Sequence, residues 1–268
     1  MTKKIPRVSL IVSTYNRPDA LNLCLQSIAK QAVLPDEVVV GDDGSGEETR
    51  RLIESFQQQF PVPIIHVWQE DKGFRLAKCR NKAVAACNCE YIIEIDGDLI
   101  LHPRFVADHL AFAEEGCFLK GGRVNLTERR TNDCCRSGVL PTFHLFSRGL
   151  RRRPNALHSL LLGRFLSTRY KKNDVTGLGC NMSFWKEDYI RINGYDEFYE
   201  GWGGEDCDFA FRMSSSGIRR KYLKFSGIVY HLWHKDLYMQ NRSKNFDYLS
   251  EQKRQHAIVC PNGVDKYL

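Results

Sequence analysis

The sequence predicts an α/β fold in which helices cover both faces of a mostly parallel β-sheet. Short apolar segments rich in β-branched residues alternate with amphipathic helical patterns through the first hundred residues. Such alternation calls for right-handed crossovers between parallel strands, and parallel sheets are usually covered on both faces. The chain has 268 residues, which is enough to bury a substantial core, and we expect it to form one compact domain.

The first half divides into elements that can be predicted in order. Residues 7–14 form an apolar strand, and Pro18 suits the first turn of the helix that follows. The apolar positions of that helix are Leu21, Cys24, Leu25 and Ile28. A second strand covers 37–41, and Ser45 with Glu48 predicts a capping box for the next helix. The remaining elements of this half are a strand near 64–68, a helix near 76–87 and a strand at 91–95.

The alternation fades after residue 124 and resumes near residue 177. Residues 125–172 look like a long, basic, partly helical insertion. Its helical part carries a short amphipathic stripe made by Leu157, Leu160, Leu161 and Phe165. Beyond it we predict a strand at 177–185, a helix around 186–192, and a helix that opens at Glu205 and ends at Gly217.

The positive charge of the chain is concentrated in one segment. Residues 148–172 contain eight Lys or Arg and no Asp or Glu, against a formal net charge of +7 for the whole chain. A local basic segment indicates a local partner, either an anionic membrane surface or an acidic glycan. Interleaved aromatic residues and a nucleic-acid-binding module are lacking, so we expect no nucleic acid partner.

Cysteine spacing and hydropathy indicate a reduced, cytoplasmic setting. The ten cysteines include no Cys-x-x-Cys pair, which favours small apolar thiols over a metal site or disulfides. The sequence has no apolar run long enough to span a bilayer and no signal-peptide pattern. We therefore expect a cytoplasmic location, with peripheral contact to the inner membrane face through 148–172.

Polar residues follow three of the predicted strands. These clusters are Thr14-Tyr15-Asn16, Asp42-Asp43 and Asp96-Gly97-Asp98. Parallel sheets bind ligands beyond the carboxyl ends of their strands, so the three clusters should form one site. Two carboxylates as close as Asp96 and Asp98 repel each other unless a cation or hydroxyl groups satisfy them, and all-oxygen ligation suits Mg²⁺ or Mn²⁺ with phosphates.

Two common nucleotide-binding motifs do not occur in the sequence. It has no Gly-x-Gly-x-x-Gly after the first strand and no phosphate-binding Gly-Lys-Ser/Thr. This argues against nicotinamide-cofactor enzymes and phosphate-loop NTPases. We therefore expect the nucleotide to be bound by Thr14, Tyr15, Asp43 and the metal.

The motifs of both halves resemble known glycosyltransferases. In the first half these are Thr14-Tyr15-Asn16-Arg17-Pro18, Val38-Val39-Val40-Gly41-Asp42-Asp43-Gly44-Ser45, Arg80-Asn81 and Asp96-Gly97-Asp98, which resemble glycosyltransferase family 2. In the second half they are Gly179-Cys180-Asn181-Met182-Ser183-Phe184, Ile192-Asn193-Gly194-Tyr195 and Gly201-Trp202-Gly203-Gly204-Glu205-Asp206-Cys207-Asp208. These resemble the acceptor region of β-1,4-galactosyltransferases, and bacterial chondroitin-polymerase-type enzymes have a similar Trp-Gly-Gly-Glu-Asp element. The resemblance implies a GT-A fold and an inverting reaction.

The resemblance also implies roles for single residues. On the donor side, Asp43 would read the uracil edge, Thr14 and Tyr15 would line the base, and Asp96 would lie on the ribose and phosphate side. On the acceptor side, Asp206 would be the catalytic base, Glu205 would contact the acceptor sugar, and Trp202 would pack against both sugars. The domain would thus comprise a nucleotide-binding half (1–124), the basic insertion (125–172), and an acceptor-binding and catalytic half (173–268).

The metal ligands and the contact to the diphosphate leave alternatives open. Asp98 matches the direct metal ligand, and a histidine would complete the shell and favour Mn²⁺ over Mg²⁺. His231 is the better candidate by resemblance, and His234 is the alternative. Arg80 is predicted to approach the diphosphate, and an ordinary solvating charge on a helix is the competing interpretation.

We therefore expect an inverting, metal-dependent transferase that moves a galactose- or GalNAc-type hexose from a UDP-sugar to a glycan or glycolipid acceptor in polysaccharide or lipopolysaccharide synthesis. An aromatic cluster of Tyr195, Phe198, Tyr199 and Trp202 would suit sugar stacking, with a core role favoured for Phe198. One alternative is a non-catalytic nucleotide-sugar-binding subunit, which would have lost the base. Another is a sugar-phosphate nucleotidyltransferase, which would open with a Gly-rich loop.

Overall fold

The structure, a computed structural model, describes residues 5–167, 169, 179–235 and 240–268. The strands are β1 (Val8–Thr14), β2 (Glu37–Asp42), β3 (Ile64–Trp68), β4 (Tyr91–Asp96), β5 (Leu99–Leu101), β6 (Cys117–Gly121), β7 (Val124–Leu126), β8 (Leu150–Arg151), β9 (Asn181–Trp185), β10 (Arg219–Leu223) and β11 (Val229–His231). The helices are α1 (Pro18–Ala29), α2 (Glu47–Gln57), α3 (Leu76–Ala86), α4 (Phe105–Phe112), α5 (Glu128–Ser137), α6 (Leu160–Ser167), α7 (Lys186–Arg191), α8 (Glu205–Ser215) and α9 (Arg242–Arg254). Short 3-10 turns occur at Arg153–Ala156 and Val264–Tyr267.

The central sheet has the order β10-β6-β9-β4-β1-β2-β3. Its strands pair in parallel except at β9, which runs antiparallel to both β4 and β6. Helices pack on both faces: Leu10 and Val12 of β1 join the cluster that includes the buried side of α1, and Ile11 joins the cluster that includes α3 and α8. The predicted α/β fold with a mostly parallel sheet is therefore confirmed.

A second sheet of order β5-β11-β7-β8 lies beside the first. Two of its strands, β7 and β8, fall wholly or partly within the predicted insertion, and Phe143 from the same segment packs on Tyr230 with ring centroids 4.8 Å apart. The helix α5 packs on α1. The described part of 125–172 is therefore built into the fold and shares a core with the rest of the chain.

One local prediction is wrong. The capping box of Ser45 and Glu48 does not form: α2 begins after Gly46 with no side-chain cap, because the Ser45 hydroxyl accepts the backbone N–H of Asn16 at 2.8 Å. In the predicted amphipathic stripe, Leu160 packs on a buried cluster, whereas Leu161 is 83% exposed. Gly217 directly follows the C-cap residue of α8, as predicted, with a left-handed φ of 88°.

None of the ten cysteines, all of which lie among the described residues, forms a disulfide, and each is buried or half-buried. No helix in the described part of the chain is both long and apolar enough to cross a bilayer. Lys171, Lys172 and residues 177–178 of the predicted strand lie outside the described residues.

Candidate active site

The carboxyl ends of β1, β2 and β4 lie side by side at one edge of the central sheet. In the strand register, Thr14 is opposite Asp42 and Ser13 is opposite Asp96. The backbone N–H of Asp43 donates to the carbonyl oxygen of Thr14 at 3.0 Å. Pairing between parallel strands therefore brings the three predicted polar clusters together.

Asp43 is buried and held by the loop that follows β3. Gln69 Nε2 donates to its Oδ1 at 2.5 Å, and the backbone N–H of Arg75 donates to its Oδ2 at 2.8 Å. Burial raises the pKa of Asp43 and outweighs these two donors, which lower it. Asp43 lines a small cavity of about 20 Å³ together with Tyr15, Gly73 and Phe74. Asp43 and Tyr15, two of the residues predicted to bind the base, thus line the same small cavity.

A polar cavity of about 230 Å³ adjoins this region. It is lined by Arg75, Lys78, Glu197, Tyr199, Glu200, Asn262 and Lys266. Arg75 also donates its backbone N–H to Asp43, so one residue of the larger cavity contacts a residue that is predicted to bind the base. A mixture of cations, carboxylates and amides in its wall suits a polar ligand.

Asp98 and two histidines form a group with the composition of a metal site. His231 Nε2 lies 3.6 Å from Asp98 Oδ1, and His234 Nε2 lies 3.6 Å from Asp98 Oδ2. One ligand atom from each of the three residues lies within 4.8 Å of the others. The structure thus brings both candidate histidines to Asp98.

The chemistry of these donors fits a divalent transition ion. Asp98 Oδ1 is buried and accepts no hydrogen bond from any residue that the structure describes, so it retains lone pairs for a ligand. Burial lowers the pKa of His231, and the neutral imidazole that results can coordinate a metal. One carboxylate with two imidazoles suits Mn²⁺ better than Mg²⁺, which prefers oxygen ligands.

Arg80 is a buried cation shared by three carboxylates. Its side chain is 1% exposed, with NH1 2.8 Å from Asp206 Oδ1, NH2 3.1 Å from Asp96 Oδ1, and Nε 3.4 Å from Glu94 Oε1. The guanidinium carbon also lies 5.2 Å from the ring centroid of Tyr195, whose hydroxyl donates to Glu94 at 2.7 Å. Burial disfavours the charged guanidinium, but the carboxylates outweigh it and raise the pKa of Arg80. Arg80 therefore links Asp96, which is predicted to lie on the donor side, to Asp206, which is predicted to lie on the acceptor side.

Asp206 is held from two sides at the start of α8. Besides Arg80, the backbone N–H of Gly179 donates to its Oδ2 at 2.7 Å. A Cβ at position 179 would lie 2.4 Å from both Arg80 and Asp206, so a side chain there would break this arrangement. Gly204 precedes the helix with a left-handed φ of 99°, a conformation that favours glycine. Asp206 is 24% exposed and remains accessible to a ligand.

Glu205 and two other carboxylates near Arg80 have raised pKa values. Burial is the main cause in each case, and it raises the pKa of Glu205 to about 8, that of Glu94 to about 7 and that of Asp96 to about 6. Neighbouring carboxylates raise these values further, whereas Arg80 lowers them. Glu205 Oε2 is buried and receives no hydrogen bond within the described part of the chain. A carboxyl whose pKa is raised in this way can keep its proton near neutral pH and donate a hydrogen bond.

The predicted aromatic cluster divides between core and surface. Tyr195 is fully buried and Tyr199 is 2% exposed, so neither can stack on a sugar in this conformation. Phe198 stacks on Tyr248 with ring centroids 3.8 Å apart, in keeping with a packing role. Trp202 is 39% exposed and can contact a ligand.

Two residues that were given no role in the sequence analysis belong to the site. Glu94 lies inside β4 and pairs with Arg80, although its place in an apolar strand predicts only burial. Arg17 NH1 lies 3.5 Å from Asp98 Oδ2. A buried carboxylate in an apolar strand requires a cationic partner, and that requirement is the signal that could have identified Glu94.

The fold is of the GT-A type, as the motifs predicted. Two family models match parts of the chain: residues 9–133 match the model of glycosyl transferase family 2, and residues 162–235 match the model described as the N-terminal domain of galactosyltransferase. The chain thus contains a glycosyltransferase family 2 domain followed by a galactosyltransferase segment, as the motifs predicted.

Curated relatives agree with this family. Validoxylamine A glucosyltransferase of Streptomyces hygroscopicus subsp. limoneus is 28% identical over 239 residues, which cover 81% of this chain and 50% of the relative. Chondroitin synthase of Pasteurella multocida (strain Pm70) is 27% identical over 238 residues, covering 84% of this chain and 24% of the relative. The chain therefore spans about half the length of the first protein and a quarter of the second.

Solved structures agree with the fold. TarS 1–349 of S. aureus in complex with UDP has a TM-score of 0.64 at 17% identity, covering 97% of this chain and 68% of TarS. The mannosyltransferase PcManGT of Pyrobaculum calidifontis, in complex with GDP-Man and Mn²⁺, has a TM-score of 0.63 at 17% identity, covering 94% of this chain and 65% of the other. At these identities the likeness concerns the fold alone.

Proposed function

We propose that this chain is an inverting, metal-dependent glycosyltransferase that moves a galactose- or GalNAc-type hexose from a UDP-sugar to a hydroxyl of a glycan or glycolipid in polysaccharide or lipopolysaccharide synthesis. The observation that carries the proposal is the junction at Arg80, which joins the carboxylate on the donor side to the proposed base on the acceptor side. A transferase needs both substrates at one centre, and this junction would bring the two proposed binding sites together.

The donor would lie along the edge of the sheet. Asp43 and Tyr15 line one cavity there and would bind the base, while Asp96 would take the ribose and phosphate side. Asp98 with His231 or His234 would hold a divalent ion, and such an ion offsets the negative charge of a leaving diphosphate. The UDP and GDP-Man complexes of proteins with this fold support a nucleotide sugar as donor, and the Mn²⁺ in one of them supports the metal.

The reaction would be a single displacement at the anomeric carbon. The acceptor oxygen forms a bond to that carbon while the bond to the diphosphate oxygen breaks, and the hydroxyl proton passes to a base. Asp206 suits this role because it is partly exposed and fixed by Arg80 and Gly179. A carboxylate oxygen that accepts one hydrogen bond keeps a lone pair for a proton.

Glu205 would bind the acceptor and leave the proton transfer to Asp206. Its pKa, raised to about 8, makes it a hydrogen-bond donor near neutral pH, and a donor can orient a sugar hydroxyl. Trp202 would pack against the sugar faces, since its indole is 39% exposed. Glu205 and Trp202 would therefore place the acceptor, and Asp206 would deprotonate it.

The experiment that tests this proposal is a panel of nucleotide sugars incubated with Mn²⁺ and assayed for release of nucleoside diphosphate. UDP-galactose and UDP-GalNAc should be turned over, and turnover should be lost in Asp98→Asn. Asp133→Asn is the matched control, because Asp133 lies exposed on α5. Binding of UDP without turnover of any sugar would point to the non-catalytic alternative, and turnover of GDP-mannose alone would contradict the proposed donor.

A further inference from the structure

The helix α6 turns an apolar face to solvent. Leu161 is 83% exposed, Phe165 is 59% exposed and Leu162 is 47% exposed. At 3.6 residues per turn these three positions lie within roughly 100° of one another around the helix. Large apolar side chains that form one contiguous exposed face indicate an interaction surface.

The opposite face of α6 is tightly packed, so its orientation on the fold is well defined. Leu160 packs on a buried cluster that includes Phe112 and Leu223. Gly163 lies so close to the turn between β10 and β11 that a Cβ there would meet Ser226 Oγ at 2.5 Å. A rotation that buried the outward leucines would force the helix away from this contact. The outward face is therefore held in solvent by the packing of the inward face.

Two arginines flank this apolar face. Arg164 lies on α6 itself, and the guanidinium of Arg169 lies 4.0 Å from the ring centroid of Phe165. The exposed arginines of the segment in the described residues are Arg148, Arg151, Arg152, Arg153, Arg164 and Arg169. Residues 148–172 contain no acidic residue that could neutralise them. The surface is thus both apolar and cationic.

We infer that the outward face of α6 docks on the surface of an anionic lipid bilayer. Leucine and phenylalanine side chains enter the boundary between headgroups and acyl chains, and flanking arginines bind anionic headgroups. An acidic glycan would engage the arginines but leave the apolar side chains in water. A second copy of the same face would bring like charges together. The inference concerns a surface apart from the proposed active site and requires no turnover.

The test is co-sedimentation of the full chain with vesicles of phosphatidylcholine, with and without phosphatidylglycerol. The wild type should bind the anionic vesicles, and the double variant Leu161→Gln/Phe165→Gln should bind at least about tenfold more weakly. Arg164→Gln/Arg169→Gln should lose about fivefold for each arginine, and this loss should shrink as salt is added. Val259→Gln is the control, because Val259 is 56% exposed and lies outside the basic segment.

Three outcomes would overturn the inference. The wild type could fail to bind phosphatidylglycerol vesicles at low salt, or the Leu161/Phe165 variant could bind as well as the wild type. The wild type could instead form a dimer that this variant abolishes, which would identify a second copy as the occupant. Because vesicle binding is measured without substrates, the inference can fail while the proposed transferase activity holds, and the reverse is also true.

Discussion

Replacing Arg80 by methionine should destabilise the protein more than replacing any exposed arginine. The side chain of Arg80 is 1% exposed and is shared by Glu94, Asp96 and Asp206, so Arg80→Met leaves three carboxylates without their common cation. Removing one partner of a buried ion pair typically costs about 3–5 kcal/mol. That is a large part of the free energy of unfolding of an ordinary domain, which is about 5–15 kcal/mol.

Urea unfolding followed by tryptophan fluorescence measures this loss. Arg50→Met is the matched control, because Arg50 forms its ion pairs with Glu47 and Glu54 on the surface of α2. The midpoint should fall strongly for Arg80→Met and hardly move for Arg50→Met, with similar urea dependence in both. Equal midpoints for the two variants would refute the view that Arg80 organises the site.

The pH dependence of the free energy of unfolding provides a second test of the prediction for Arg80→Met. Burial raises the pKa of Glu94 from 4.5 to about 7 in the folded protein, so the folded state binds the proton more tightly than the unfolded state and stability falls as pH rises through this window. Arg80 lowers the pKa of Glu94, so without Arg80 this pKa should rise further and the loss of stability with rising pH should become larger. The deficit of Arg80→Met relative to the wild type should therefore shrink as pH falls from 7 towards 4.5. A deficit that is independent of pH would mean that lost packing, not uncompensated charge, causes it.

Four further predictions concern the site and the core. Asp98→Asn should abolish metal-dependent donor turnover, and full wild-type activity in excess chelator would contradict this. Asp206→Asn should lower the rate of transfer about 10²–10⁴-fold and leave UDP binding unchanged. Glu205→Gln should mainly raise the KM for the acceptor. The reverse pattern would identify Glu205 as the base. Gly179→Ala should lower kcat, because the added Cβ would lie 2.4 Å from Asp206 Oδ1, and unchanged kcat would contradict the geometry. Burial lowers the pKa of His109 from 6.5 to about 3, so the contribution of His109 to stability should fall as pH drops below 6.5, by up to about 1.4 kcal/mol per pH unit. His109→Gln should remove this contribution from the pH dependence measured by urea titration.

Local sequence patterns were sufficient for the elements between residues 7 and 96 and for the edge of the sheet that carries the candidate site. Apolar strands such as 7–14 and 91–95 alternate with helices, and parallel pairing then places their carboxyl ends together. The positions of Thr14, Asp43 and Asp96 at one edge could therefore be predicted without coordinates. The roles assigned to Asp43, Asp98 and Asp206 came from resemblance and remain predictions.

Packing between distant segments decided the rest. Arg80 meets Asp206 across 126 positions of the chain, and Asp98 meets His231 and His234 at the junction of two sheets. No periodic pattern encodes such contacts, because they depend on how completed elements are stacked. The orientation of α6 could not be predicted for the same reason, because either side of this leucine-rich helix could have packed on the core. Gly163 lets the backbone of α6 come close to the turn at Ser226. With that side of the helix packed, Leu161 lies on the side that faces solvent.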